Sequence, residues 1–170
     1  NGFLNQYGFP SDWVILGLLP SYLERKNASL VYMVDGLMKH SAQPENGFYL
    51  YNYEKLKETL DTLAKTDKKV MLFGVTFALI EFAQKFPAQY SNLTIIETGG
   101  MKGRGKELTR DELHFFLNQQ LQPYQIHSEY GMTELLSQAY SLGNGIFECP
   151  NWMQILIRET EDALSYVNEG

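Results

Sequence analysis

Short, nearly continuous apolar runs alternate along the chain with segments whose apolar residues recur every three or four positions. The first kind of pattern is typical of buried strands and the second of helices that bury one face. Strands are predicted at residues 12–20, 47–51, 69–75, 93–98, 124–130 and 154–159. Helices are predicted around residues 30–38, 56–64, 76–86 and 113–121, and the third of these is apolar nearly all round, as expected of an interior helix.

Strands that alternate with helices are typical of βαβ crossovers. The sequence therefore predicts an α/β fold with a mainly parallel sheet covered by helices, and no composition shift divides residues 1–170 into more than a single α/β domain.

Composition excludes several function classes. The apolar fraction of 44% is that of a globular protein, and 20 acidic against 14 basic side chains give a net charge of −6. That charge argues against broad binding to nucleic acid or to an anionic membrane. No apolar run approaches the roughly 20 residues of a membrane span, so we expect a cytoplasmic protein without one. A single cysteine, Cys149, excludes an internal disulfide and a cysteine-built zinc site.

A glycine-rich loop follows the predicted strand at 93–98. Gly100, Gly105 and Lys106 match most of a phosphate-binding P-loop, but Glu107 stands where that motif needs Ser or Thr. Thr109 and Glu112 have the spacing of a capping box, which predicts that the next helix begins well after Lys106. The P-loop interpretation therefore fails on two independent counts.

A second loop follows the predicted strand at 124–130. Here Tyr130 offers an aromatic face, Gly131 allows close backbone approach, Thr133 carries a hydroxyl and Glu134 a carboxylate. The carboxyl ends of strands are where open α/β sheets bind ligands. The two loops together suit a nucleotide with Mg²⁺.

The segment Tyr130-Gly131-Met132-Thr133-Glu134 resembles the Y-G-x-T-E signature of the adenylate-forming superfamily, which includes acyl-CoA synthetases, luciferases and peptide-synthetase adenylation domains. Gly99-Gly100 precedes it at the distance of that family's glycine-containing adenine loop. The longer strings GGMKGRGKELTRDEL, SEYGMTELLSQAY and LGLLPSYLERKNASLVYMV are similar to the acyl-protein synthetase branch, the luciferin-component ligases of bacterial bioluminescence, with phenylacetate–CoA ligases as near relatives.

The resemblance implies a two-step reaction that uses ATP and Mg²⁺. A carboxylic acid, expected to be a fatty acid, attacks the α-phosphate of ATP to give an acyl-adenylate and pyrophosphate. A thiol, either a protein cysteine or coenzyme A, then accepts the acyl group.

The resemblance also assigns roles to individual residues. Thr133 would hydrogen-bond the α-phosphate, and Glu134 would ligate Mg²⁺; both are the expected catalytic residues. The Tyr130 ring would pack against adenine. The remaining expected nucleotide-binding positions are Gly99, Gly100, Glu129, Gly131 and Met132.

Other parts of the family pattern have no counterpart in these 170 residues. They are the upstream Ser/Thr/Gly-rich phosphate loop, the downstream ribose-binding Asp segment and the C-terminal domain with its catalytic Lys. We therefore expect a central fragment of a larger adenylating enzyme, a subdomain of its N-terminal region, which alone catalyses little or no adenylation.

Two other functions fit the same residues: a phenylacetate-type CoA ligase, and a degenerate nucleotide-binding or scaffold domain without turnover. Among single residues, Cys149 is predicted to be structural and His127 to be packed or at a sheet edge, with His40 and His114 on the surface. The loop side chains Lys102, Arg104 and Lys106 suit either solvent or a phosphate.

Overall fold

The computed structural model describes residues 2–20, 28–101, 103, 107–132, 135, 137–162 and 164–167. Within these ranges five α-helices are assigned bounds: α1 Gly2–Tyr7, α2 Ser29–Ser41, α3 Tyr53–Leu63, α4 Thr76–Lys85 and α5 Arg110–Leu121. The strands are β1 Trp13–Leu18, β2 Gly47–Phe48, β3 Lys69–Val75, β4 Leu93–Thr98, β5 Gln125–Tyr130, β6 Ala139–Ser141, β7 Ile157–Arg158 and β8 Tyr166–Val167.

Six strands form the main sheet, in the order β2-β1-β3-β4-β5-β6. The pairs from β2 to β5 are all parallel, and β6 is antiparallel to β5. Helices flank the sheet, so the chain has the α/β fold with a mainly parallel, helix-covered sheet that the sequence predicts. Parallel alignment brings the carboxyl ends of β3, β4 and β5 to one edge of the sheet.

The two central strands, β3 and β4, lie at the core of the molecule, and both of their faces are buried. Every residue of β4 is buried, as is every residue of β3 except Lys69 at its start. Helix α4 packs on these two strands, and its apolar side chains are buried, Phe77 and Phe82 among them, except for Ile80, which is partly buried. Burial on both faces explains the continuous apolar run of β3, whereas β4 also buries Thr94, Glu97 and Thr98.

Two predicted strands differ from the structure. The strand at 47–51 shortens to Gly47–Phe48 at the sheet edge. The strand at 154–159 is reduced to Ile157–Arg158, which pairs with β8 in an exposed antiparallel ribbon apart from the main sheet. Apolar residues in this segment, such as Ile155 and Leu156, remain exposed, so the apolar pattern there does not correspond to a buried strand.

The predicted start of α5 is confirmed. Thr109 Oγ1 accepts from the Glu112 amide at 3.2 Å, and the Glu112 carboxylate accepts from the Thr109 amide at 2.8 Å. This capping box fixes the first helical residue at Arg110. None of the helices within the described ranges combines the length and apolar character needed to cross a bilayer.

Candidate functional site

A cavity of about 330 Å³ lies at the carboxyl ends of β4 and β5. Its wall also includes the first turn of α2, the start of α5 and residues near β6. The lining residues are Ser29, Leu30, Met33, Glu97, Thr98, Gly99, Arg110, Glu129, Tyr130, Gly131, Met132, Gln138 and Phe147. The volume is within the range of small-molecule sites.

Two glycines form backbone parts of the wall. Gly99 has a φ of 70°, a left-handed conformation that glycine adopts without steric cost, and the hydroxyl of Thr76 donates to its carbonyl at 3.2 Å. A Cβ placed on Gly131 would lie 2.6 Å from Oε1 of Glu129. A larger residue at 131 would therefore require the Glu129 carboxyl group to shift from its present position.

Two aromatic rings and a guanidinium group form one side of the cavity. Tyr130 is 42% exposed and meets Phe147 edge to face, with ring centres 6.2 Å apart. The guanidinium carbon of Arg110 lies 4.8 Å from the centre of the Phe147 ring, which is a cation–π distance. The Tyr130 ring therefore offers a partly exposed aromatic surface next to one positive charge.

Glu97 is 5% exposed and sits beneath this surface. Its Oε1 accepts from Arg110 Nε at 3.1 Å and lies 3.8 Å from His114 Nε2. Burial alone would raise the pKa of Glu97, but its neighbours His114, Ser128 and Arg110 together hold that pKa below its ordinary value. Glu97 is therefore a buried carboxylate that stays ionised.

Glu129 is the second carboxyl group of the cavity, and its environment acts in the opposite direction. Burial and the negative charge of Glu97 raise its pKa, although Thr98 Oγ1 donates to its Oε2 at 2.5 Å. Two neighbouring carboxyl groups thus have pKa values pushed apart, which is frequent at binding and catalytic sites.

Five of the residues predicted from the sequence line this one cavity: Gly99, Glu129, Tyr130, Gly131 and Met132. Gly100 lies next to the wall but is not part of it; a Cβ there would be 3.9 Å from Glu107 Oε2. The two predicted catalytic positions, Thr133 and Glu134, fall outside the described residues. The loop positions Lys102, Arg104 and Lys106 also fall outside them.

Sequence reasoning missed Arg110, Glu97 and Phe147, which shape the cavity as much as the predicted residues do. The capping box was the available signal for Arg110, since it places that residue at the first turn of the helix after the glycine loop. Reading His114 as a surface residue was wrong, because its side chain is 19% exposed and faces Glu97.

The strand order β2-β1-β3-β4-β5 is one of the common orders of doubly wound sheets, in which ligands bind where the order reverses. That point lies here between β1 and β3, and the chain after β1 enters residues 21–27, outside the described ranges. The cavity lies instead at the carboxyl ends of β4 and β5, beside helix α2, which follows residues 21–27.

Two further cavities lie elsewhere on the molecule, one adjoining the first and one at the opposite edge of the sheet. One of about 540 Å³ shares Met33 and Gln138 with it and is lined by apolar side chains that include Leu37, Tyr140 and Trp152. The other, of about 450 Å³, lies at the amino ends of the strands, where Lys69 begins β3.

His127 lines the cavity at the amino ends, and it is packed, as predicted. It is 4% exposed, and its ring stacks on Tyr7 with centres 5.7 Å apart. Burial, with a smaller effect from His114, lowers the pKa of His127 to about 4, so the ring is neutral at pH 7. His40 is exposed, as predicted. Cys149, which was predicted to be structural, is also exposed and therefore does not pack in the core.

Across the described part of the chain, no three His, Cys, Asp or Glu side chains form a cluster suited to a metal ion. No model of a known protein family matches the chain, and no curated protein or solved structure does so either.

Proposed function

We propose that the cavity at the carboxyl ends of β4 and β5 binds the adenosine part of ATP. The chain then acts within an acid–thiol ligase of the adenylate-forming type, which activates a carboxylic acid, in our proposal a fatty acid, as its acyl-adenylate. One observation carries the proposal: Gly99 and Tyr130, from two separate loops, line the same cavity.

The chemistry of the wall suits an aminopurine nucleoside. The Tyr130 ring supplies a face on which a base can stack, and Gly99 supplies a backbone without a side chain. The carboxyl groups of Glu97 and Glu129 accept hydrogen bonds from an exocyclic amino group or from ribose hydroxyls. A nucleoside presents this combination of a flat face and several donors.

The adjoining cavity supports the choice of a carboxylic acid with an apolar chain. It shares Met33 and Gln138 with the first cavity, and its wall combines apolar side chains such as Phe3 and Leu37 with polar ones at its rim, among them Asp35 and Lys39. An acyl group bound there has its carboxyl end directed at the nucleotide. Attack of that carboxylate on the α-phosphate then forms the acyl-adenylate and releases pyrophosphate, before a protein cysteine or coenzyme A takes the acyl group.

In this proposal Thr133 hydrogen-bonds the α-phosphate and Glu134 holds Mg²⁺, which offsets the negative charge on the phosphate oxygens. Magnesium is commonly held by one or two carboxylates together with substrate phosphates. A site of that kind needs no cluster of three protein ligands.

Calorimetric titration with a non-hydrolysable acyl-adenylate analogue in the presence of Mg²⁺ tests the proposal. We expect binding that weakens by about tenfold in Thr133→Ala, from loss of a hydrogen bond to a charged group, and likewise in Glu134→Ala. Thr160→Ala and Glu161→Ala are matched controls, because the same residue pair occurs there in an exposed segment. Absence of binding, or equal binding by all four variants and the parent chain, would refute the proposal.

A further inference from the structure

Arg110 is held on three sides at the wall of the cavity. Its Nε donates to Glu97, its guanidinium plane lies over Phe147, and its backbone is fixed at the capped start of α5. The side chain nevertheless remains 40% exposed. Because it is already ordered, the guanidinium loses little conformational entropy when it binds a further group.

The hydrogen bond to Glu97 uses only Nε. Among the described residues, no other acceptor is bonded to this guanidinium. Its terminal N–H groups form a planar fork that matches the two oxygens of a phosphate or a carboxylate.

The charges of the cavity restrict where a negative group of the ligand can lie. Glu97 and Glu129 repel an anion over most of the wall. Arg110 is the only cationic side chain among the described residues of the lining. Donor groups of a ligand are therefore favoured at the two carboxyl groups, and an oxyanion is favoured at Arg110.

We infer that Arg110 binds an oxyanion of the ligand, either a phosphate or a carboxylate, and thereby sets the direction in which the ligand enters the cavity. Glu97 is a positioning residue that orients the guanidinium from below. The identity of the ligand, though not the site for an oxyanion, rests on the function proposed above.

The test compares adenosine with AMP, which differs from it by one phosphate, and adds octanoate as a carboxylate that carries no nucleoside. The parent chain, Arg110→Gln, Arg110→Lys and Arg158→Gln are each titrated with adenosine, AMP and octanoate by calorimetry. Arg158 is a matched control, because it also lies over an aromatic ring, that of Tyr166, but in the exposed β7–β8 ribbon. Thermal unfolding of each variant checks that it is folded.

We expect AMP to bind the parent chain about tenfold or more tightly than adenosine, the effect of one charge-assisted hydrogen-bonded contact. Arg110→Gln should bind AMP no more tightly than adenosine while its affinity for adenosine stays within about threefold. Arg110→Lys should retain part of the preference, since it keeps the charge but not the fork. Arg158→Gln should behave as the parent chain does.

The ligands also distinguish the two sources of the oxyanion. Loss of the AMP preference assigns a phosphate to Arg110, and a loss of octanoate affinity of about tenfold or more assigns a carboxylate. If Arg110→Gln changes neither the preference for AMP nor the affinity for octanoate, the inference is overturned. The proposed function still stands in that case, provided that adenosine binds. If the parent chain binds neither adenosine nor AMP, the proposed function fails, and the octanoate titrations alone decide whether Arg110 binds an oxyanion. If none of the three ligands binds, the proposed function and the inference are both overturned. Should Arg110→Gln not fold, the same comparisons in Arg110→Lys decide.

Discussion

An exposed tyrosine lies at each end of strand β5, and the surroundings of these two tyrosines differ. Tyr124, just before the strand, is 66% exposed beside a cavity whose buried histidine is neutral. Tyr130, the last residue of the strand, is 42% exposed beside two carboxyl groups and a guanidinium. Charged residues such as Asp67 and Lys69 also line the cavity beside Tyr124, but they are exposed, whereas the end at Tyr130 has a buried carboxylate, Glu97, bonded to Arg110. Exposure of an aromatic side chain alone therefore identifies no site.

Polar groups at the two ends of the sheet also differ in what they bond to. At the amino ends, His127 bonds Tyr7 at 3.3 Å through Nδ1, and its buried Nε2 has no partner among the described residues. At the carboxyl ends, Glu97 and Arg110 bond each other and still face a cavity. We therefore expect substitutions at the amino ends to change stability and those at the carboxyl ends to change ligand binding.

The largest expected effect is that of Tyr7→Ala. Tyr7 contacts Phe3, Trp13, His127 and Tyr140, so truncation leaves a cavity among four aromatic rings. The free energy of unfolding in urea should fall by about 3 kcal/mol. Tyr124→Ala, which removes an exposed ring at the same end, should cost less than about 1 kcal/mol. Equal losses in the two variants would contradict the described packing.

The next effect is the pH dependence that His127 contributes. Its pKa of about 4 in the folded protein lies below the ordinary histidine value of about 6.5, so over this range the unfolded chain takes up a proton that the folded chain does not. The free energy of unfolding should therefore fall as the pH drops from about 6.5 towards 4, by about 2–3 kcal/mol from this residue.

His127→Phe keeps a ring against Tyr7 and removes the titration. Its free energy of unfolding should depend less steeply on pH over that window than that of the parent chain. His40→Gln, at an exposed position, serves as the control. Parallel pH curves for the parent chain and His127→Phe would show that His127 titrates normally.

At the carboxyl ends, Tyr130→Ala should weaken adenosine binding by about tenfold, the value of one stacking contact. The free energy of unfolding should change by less than about 1 kcal/mol, because the ring is largely exposed. Tyr124→Ala should leave adenosine binding unchanged. A larger loss of adenosine affinity in Tyr124→Ala than in Tyr130→Ala, measured by calorimetry, would contradict a binding site at the carboxyl ends.

The smallest effect is expected for Glu129→Gln. A carboxyl group whose pKa is raised by folding stabilises the protein below its unfolded pKa, and this contribution is lost as the pH rises through the folded pKa. The glutamine keeps an oxygen for Thr98 and removes the charge. At pH 8 the free energy of unfolding should be slightly higher in Glu129→Gln than in the parent chain. The difference between the two should be smaller at pH 4. Destabilisation at pH 8 would show that the ionised form is favoured in the fold.

The parts of the fold that could be predicted from the sequence depend on local pattern. Strands β3 and β4 and the start of α5 follow from continuous apolar runs and from a capping box whose partners are three residues apart. Strand β6 has only three residues, Ala139–Ser141, too few for a periodic pattern, and it was not predicted. The exposed ribbon at β7 has an apolar sequence without the burial that such sequences usually indicate.

The site could be predicted only in part for the same reason. Gly99, Tyr130 and Gly131 follow strands and belong to short sequence motifs, so their shared edge could be inferred from parallel topology. The capping box locates Arg110 at the start of α5, but the role of its side chain could not be predicted, because it depends on Glu97 in β4 and on Phe147 in a distant loop. The opposite pKa directions of Glu97 and Glu129 likewise arise from burial and from each other, which no local pattern encodes.

The central claim, that adenosine binds at the carboxyl ends of β4 and β5, is tested most directly by following the backbone amide resonances of the ¹⁵N-labelled chain during titration with adenosine. We predict progressive shifts at Gly99, Tyr130 and Gly131, with the amides of Lys69 and Tyr124 at the opposite edge unchanged. Shifts confined to Lys69 and Tyr124, or no shift at any of these amides at millimolar adenosine, would contradict it.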